Sequence, residues 1–368
     1  NMRLLNVGIT ATQGDYNTAA GVLSVIKNIQ LLDGSGKVLD QLRGVGRYSA
    51  FKNYNHSNAS NKSVNRFLKQ NNLGYEVAKY DLTVPPTERK KVQSPFDNPK
   101  FEPTLSTTQR GWVDLKELLP ILQSALYLPT QVFKNLTLRV EFNSAIGAAQ
   151  NTTTPLLAVD SMANSDTAMK MVKAFKAIDY VSVENDQVFI GGLSPTVTTP
   201  NPTQTERKTF KGFDNKHVNK LVFIKQPSTG SLDLSTNLNN LGSQLYLEES
   251  ENIRINGRSL LVGSGLDSAA KSLAKLGDVY GTCNAYSNKL QLPNVLGITV
   301  GNFLGEQDYR AFLLSEYVST MEVSFGRTGD RDPAATDAVN ASNKINNSLT
   351  LHCYAEVNKT LQVQPNGT

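Results

Sequence analysis

Cysteine, histidine and tryptophan are scarce in this 368-residue chain, which has two, three and one of them. Two cysteines, Cys283 and Cys353, cannot build the disulfide framework that staples small secreted domains, and each is expected to be a free, buried thiol. None of the histidines, His56, His217 and His352, has a cysteine or carboxylate neighbour at a metal-ligand spacing, so they read as surface or packing residues. Long apolar runs are missing too. The longest, Leu118 to Leu128, is broken by Pro120, Gln123 and Ser124 and falls short of the ~20 residues that span a bilayer. The opening Asn1-Met2-Arg3-Leu4-Leu5-Asn6 has no apolar core of signal-peptide length, and Asn1 before Met2 suggests numbering that begins inside a longer chain; secretion finds no support in it.

Charge is sparse at 19% of residues, against the usual ~25%, and leans positive, with a formal net charge of +5. Apart from Arg89-Lys90-Lys91 and Arg207-Lys208 the basic residues are dispersed. No basic helix or basic–aromatic repeat suited to specific nucleic-acid recognition occurs, which leaves a solvated surface as the plain reading.

What replaces charged and apolar residues is Asn, Thr, Ser and Gly, a composition of strands joined by polar turns and long loops. Nine Asn-x-Ser/Thr sequons, among them Asn55, Asn58, Asn61, Asn135 and Asn346, follow from that richness without implying glycosylation. Two period-2 runs, Leu138-Arg139-Val140-Glu141-Phe142 and Met321-Glu322-Val323-Ser324-Phe325, stand about half a chain length apart. Each has one apolar and one polar face, as a strand covering a core from one side requires. Their recurrence predicts two β-sandwiches of similar build in tandem: residues 1–190, a Pro/Gly/Thr-rich linker at 191–206, and residues 207–368.

Along the chain, Val22 to Leu32 and Lys37 to Asp40 flank Asp33-Gly34-Ser35-Gly36 and predict a hairpin. Gly34-Ser35-Gly36-Lys37 is no phosphate loop, because Leu31 and Val38 occupy the positions where that motif needs Gly and Ser/Thr. Residues 43–73 carry helical signals that end at Gly74, and the Pro-rich stretch from Thr83 to Pro103 reads as a surface loop. Asp114 with Glu117 resembles a capping box, and Pro120 shortens or kinks the helix they open. Ser165 to Ala177 is an amphipathic helix with Ser165 or Asp166 as its N-cap; the stripe Ala168, Met171, Val172 and Phe175 suits a helix covering the end of a sandwich. Strands are expected at 218–224, around Asn256-Gly257, at 311–325 and at 349–363, and a helix at 267–276.

No residue nominates itself for catalysis, for cofactor binding or for metal ligation. Asp330, Asp332 and Asp337 lack the third oxygen ligand of a calcium loop, because Ala334 holds that place. Gly263-Ser264-Gly265 lacks the surroundings of a nucleophile elbow or a dinucleotide fingerprint. These absences do not exclude an enzyme.

The order of several blocks resembles the double-jelly-roll major capsid proteins of small double-stranded DNA viruses, the polinton-like virus, virophage and adomavirus-like group. These blocks are Val25 to Ile29 with Val38 to Asp40, Phe51 to Ser57, Asp114-Leu115 through Leu119-Pro120, and Leu128-Pro129-Thr130-Gln131 leading into Lys134-Asn135-Leu136. In the second half they are Phe210-Lys211-Gly212-Phe213-Asp214-Asn215 with the strand that follows, and the closing pair around Leu349 to Leu351 and Leu361 to Val363. The resemblance implies an all-β fold with short decorating helices, two eight-stranded jelly rolls in tandem. It further implies a homotrimeric, pseudo-hexameric capsomer that tiles an icosahedral shell, and a protein that is not an enzyme, with neither a cofactor nor a small-molecule substrate. Partners would be neighbouring capsomers and penton or minor capsid proteins, with weak, non-specific contact to an internal membrane or packaged DNA. The place would be the virion, after synthesis and assembly inside the host cell. A minor capsid or penton protein, a secreted carbohydrate-binding β-sandwich and a glycan-degrading β-sandwich enzyme share the composition and are the alternatives.

Overall fold

A computed structural model describes residues 2–10, 26–49, 108–124, 127–129, 132–133, 135–142, 156–175, 177–227, 252–260, 309–329, 331–342 and 348–362. Within them the chain is all-β, with fourteen strands and a few short helices. The expected features at His56, Cys283, Asp330, 51–57, 83–103, Gly263 to Gly265 and 267–276, and most of the helical stretch 43–73, lie outside the described residues.

Two compact units emerge. The first holds residues 1–53, 60–184 and 356–368, and the second holds 54–59 and 185–355. Residues 191–206, expected from the sequence to be a linker, fall within the second unit: 191–202 carry no helix or strand, and 203–206 open a strand.

Among the described residues the second half of the chain uses eight strands: β7 (Ala177–Ile190), β8 (Thr203–Phe210), β9 (Lys216–Pro227), β10 (Asn252–Ile255), β11 (Arg258–Ser259), β12 (Tyr309–Val318), β13 (Met321–Thr328) and β14 (Leu349–Gln362). They form two four-stranded sheets, ordered β12-β9-β14-β7 and β11-β10-β13-β8. First lies beside last, second beside seventh, third beside sixth and fourth beside fifth, the nested order of a jelly roll. The sequence pattern explains the burial. Ile253, Ile255, Met321 and Val323 are fully buried, while Arg254 between them is exposed and Glu322 half-buried, the alternation of a sheet packed on one face. The runs Leu221 to Ile224 and Leu351 to Ala355 are buried at every position, as strands covered on both faces must be. Phe210 packs against Phe213 and Phe223 at centroid distances of 6.4 and 5.9 Å. Each such buried side chain contributes about 1.5–3 kcal/mol.

The first unit contains β1 (Met2–Thr10), β2 (Ile26–Leu32), β3 (Val38–Arg43), β4 (Thr108–Asp114), β5 (Thr137–Phe142) and β6 (Leu156–Val159). Their sheets are β4-β1-β6 and β3-β2-β5. Advancing each strand number by eight converts these pairings into β12-β9-β14 and β11-β10-β13, the pairings of the second half. The register agrees as well. Val140 and Leu138 face Ile29 and Leu31 across β5 and β2, just as Val323 and Met321 face Ile253 and Ile255 across β13 and β10. The two recurring five-residue runs therefore occupy the same place in the two halves.

Turn chemistry fixes both central hairpins. Between β2 and β3, Asp33 Oδ1 accepts from Ser35 N, Ser35 Oγ and Lys37 N at 2.9, 2.7 and 2.9 Å, and Gly36 supplies a φ of +82°. Between β10 and β11, Asn256 and Gly257 have φ of 52° and 78°, the left-handed pair that a two-residue hairpin turn demands.

Three expectations are sharpened. The strand region expected at 311–325 is two strands, β12 and β13, because Ser319-Thr320 turns the chain and is held by Asn256 from another hairpin. The helix expected over 165–177 is Ser165–Ala174, capped by Asn164, whose side chain accepts from Thr167 N at 3.0 Å. Of the two outcomes expected at Pro120, the short helix is the one found: Asp114 caps a 3-10 turn, Leu115–Glu117, and a separate helix, Ile121–Ser124, follows Pro120, which stands before a first turn, where proline loses no helical hydrogen bond. The apolar stripe Ala168, Met171, Val172 and Phe175 is half-buried. Met171 O accepts from Tyr127 Oη at 2.7 Å, and Phe175, just past the helix end, meets Tyr127 and Phe133 at 6.0 and 5.8 Å.

Candidate functional site

The residues weighed for metal or nucleophilic chemistry are scattered. His217 is half-buried with its ring edge-to-face against Tyr317 at 5.1 Å, and His352 is buried in β14. Cys353 is fully buried and free, and burial pushes its thiol pKa well up. Asp332 accepts from Ala334 N at 2.8 Å in a turn, and Asp337 pairs with Arg331 at 3.1 Å. No group of three or more His, Cys, Asp or Glu placed to hold a metal occurs among the described residues.

The most buried carboxylate among the described residues is one that sequence reasoning misses. Asp40 on β3 is fully buried, yet in the sequence it reads only as the end of a hairpin strand. Its Oδ1 accepts from Ser182 Oγ at 2.7 Å and Gln41 N at 3.0 Å, and its Oδ2 accepts from Ile121 N at 3.0 Å. Burial raises its pKa, and the three hydrogen bonds only partly pull it back. Beside it Tyr180 donates to Leu39 O, with its own pKa raised by burial and by the neighbouring carboxylates of Asp40 and Glu184. Both Asp40 oxygens are engaged by local donors, so the cluster pins β3, β7 and the helix Ile121–Ser124 together.

The polar face of β3-β2-β5 carries a different arrangement. Asn28 lies opposite Arg43 on one side and Glu141 on the other, and Gln30 lies opposite Gln41 and Arg139. Asn28, Gln30, Arg43, Arg139 and Glu141 line an open hollow of 260 Å³. Hydrogen bonds from Asn28 and Lys27, in that order of effect, hold the Glu141 carboxyl below its ordinary pKa.

A third feature is apolar. On β6 and just beyond it, Leu156, Leu157, Val159 and Met162 are 53, 48, 51 and 48% exposed, where isolated strand edges in soluble proteins are usually blunted with charge. No helix among the described residues is long and apolar enough to cross a membrane.

No family model matches the chain, and no curated protein does. Solved structures do. The crystal structure of PBCV-1 VP54, fitted into a reconstruction of the virophage Sputnik, matches at 12% identity and a TM-score of 0.47, over 99% of this chain and 86% of that one. The Faustovirus major capsid protein matches at 8% identity and a TM-score of 0.48, over 97% of this chain and 74% of that one. The STIV MCP crystal structure matches at 6% identity and a TM-score of 0.39, over 97% and 86%.

Proposed function

We propose that this chain is a double-jelly-roll major capsid protein whose work is self-assembly. The observation that carries the reading is the repeated winding: an eight-strand jelly roll in β7 to β14, and the same pairing and register in β1 to β6 among the described residues. A chain with two like sandwiches offers six like units when three copies meet, and that lets a trimer fill a near-sixfold position in a shell. The sequence blocks that resemble capsid proteins of small DNA viruses run in the same order along the chain. On this reading the protein is a component of the virion, and its partners are two further copies in the capsomer, then neighbouring capsomers and penton or minor capsid proteins.

In this mechanism the buried faces fold each sandwich, exposed apolar surface such as β6 is buried on trimerisation, and weaker polar contacts join capsomers so that misplaced ones can leave. The test is light scattering with negative-stain imaging of the purified protein. Three copies of the 40.2 kDa chain, about 120 kDa, with a hexagonal outline are expected. A stable monomer overturns the reading in favour of a binding module, and a pentamer points to a penton protein.

A further inference from the structure

We propose that the polar hollow on β3-β2-β5 binds an oxyanion, a carboxylate or a phosphate, between Arg43 and Arg139. The inventory of donors and acceptors on that face leads there. Asn28 Oδ1 accepts from Gly44 N at 3.1 Å, and Asn28 Nδ2 donates to Glu141 Oε2 at 2.6 Å. Lys27 Nζ donates to Glu141 Oε1 at 3.0 Å, so both oxygens of Glu141, the only carboxylate among the described residues that line the hollow, are engaged. Gln30 Nε2 donates to Gln41 Oε1 at 3.0 Å. Among the described residues neither Arg43 nor Arg139 has a hydrogen-bond acceptor, although Arg139 lies near enough to Glu141 to help lower its pKa; each guanidinium is a planar fork of donors. Donors in excess call for a guest rich in acceptors, and a face with Lys27, Arg43 and Arg139 against Glu141 calls for a negative one.

The second half of the chain provides an internal control. The register that sets Arg139 opposite Gln30 sets Glu322 opposite Arg254. Glu322 lies 3.6 Å from the guanidinium of Arg207 on β8. The second sandwich thus supplies its own anion at the position where the first presents another cation. This asymmetry does not depend on the capsid reading.

The test is calorimetric titration of inorganic phosphate and, separately, of succinate into the purified full chain at low ionic strength. Saturable binding is expected, at least tenfold weaker in R43Q/R139Q, intermediate in either single variant, and unchanged in R207Q, whose guanidinium is matched within the chain. Tighter phosphate than succinate assigns a phosphate guest, and the reverse assigns a carboxylate. Circular dichroism checks that the double variant is folded, and if it is not, R43K/R139K decides, since it keeps the charge and loses the fork. Absence of saturable binding in the wild-type chain, or equal affinity in the arginine variants, overturns the proposal.

Discussion

Replacing Asp40 should destabilise the first unit, by an amount that shrinks as pH rises. In D40A the Ile121 N–H and the Ser182 hydroxyl lose their acceptor in buried surroundings. Each stranded donor costs about 1–3 kcal/mol, so D40A should lose ~2–6 kcal/mol. D40N keeps one acceptor oxygen and strands a single donor, a loss of about 1–3 kcal/mol. Because burial raises the Asp40 pKa above its ordinary value of 3.8, the folded protein resists ionisation more than the unfolded chain does. Its contribution to stability is therefore fully present below pH 3.8 and declines as pH rises through the folded-state pKa. The amide of D40N does not titrate, so the gap between wild type and D40N should narrow as pH rises from about 4 towards neutrality. Urea unfolding at a series of pH values measures it. A gap that widens with pH, or a D40A variant as stable as wild type, refutes the assignment of Asp40 as a buried pin.

Three further outcomes are expected. Asn256 accepts from Ser319 N, Ser319 Oγ and Thr320 N and donates to Tyr317 O, so N256A should cost about 1–3 kcal/mol in thermal or urea unfolding and N256D, which keeps the acceptor, less. G212A places a methyl carbon 3.0 Å from Asp186 Cβ and displaces the carboxylate that accepts from Lys211 N and Gly212 N at 3.0 and 2.9 Å; a loss of ~1–3 kcal/mol should appear as a lower urea midpoint. In a C283S background the remaining thiol, Cys353, should be silent to a thiol reagent at about pH 8 and react only once the chain unfolds, since it is fully buried with a raised pKa.

Features fixed by neighbouring residues are legible in the sequence. Asp33-Gly34-Ser35-Gly36 and Asn256-Gly257 mark their hairpins because φ above zero falls at Gly36, Asn256 and Gly257, and the alternation in 138–142 and 321–325 marks strands because one face is more buried than the other. Features whose partner is distant in sequence are not. Nothing near Ser319 announces a turn, because the acceptor that stabilises it belongs to Asn256. Asp40 looks like any strand-end carboxylate until Ile121 and Ser182 arrive from elsewhere in the chain. The hollow on β3-β2-β5 is illegible for the same reason: Arg43 and Arg139 share a face only through β2, which pairs with both of their strands.

The nested order of β7 to β14 also bears on how the protein is made. β14 is the inner neighbour of both β7 and β9, yet a ribosome produces it after every other strand of that sheet. Until it emerges, β7 and β9 wait with their facing edges unfilled, through the whole synthesis of the intervening strands. Such pairings between distant segments close slowly. Nascent chains are thus committed to a late, all-at-once closure of this sheet, and a shield during translation falls to chaperones.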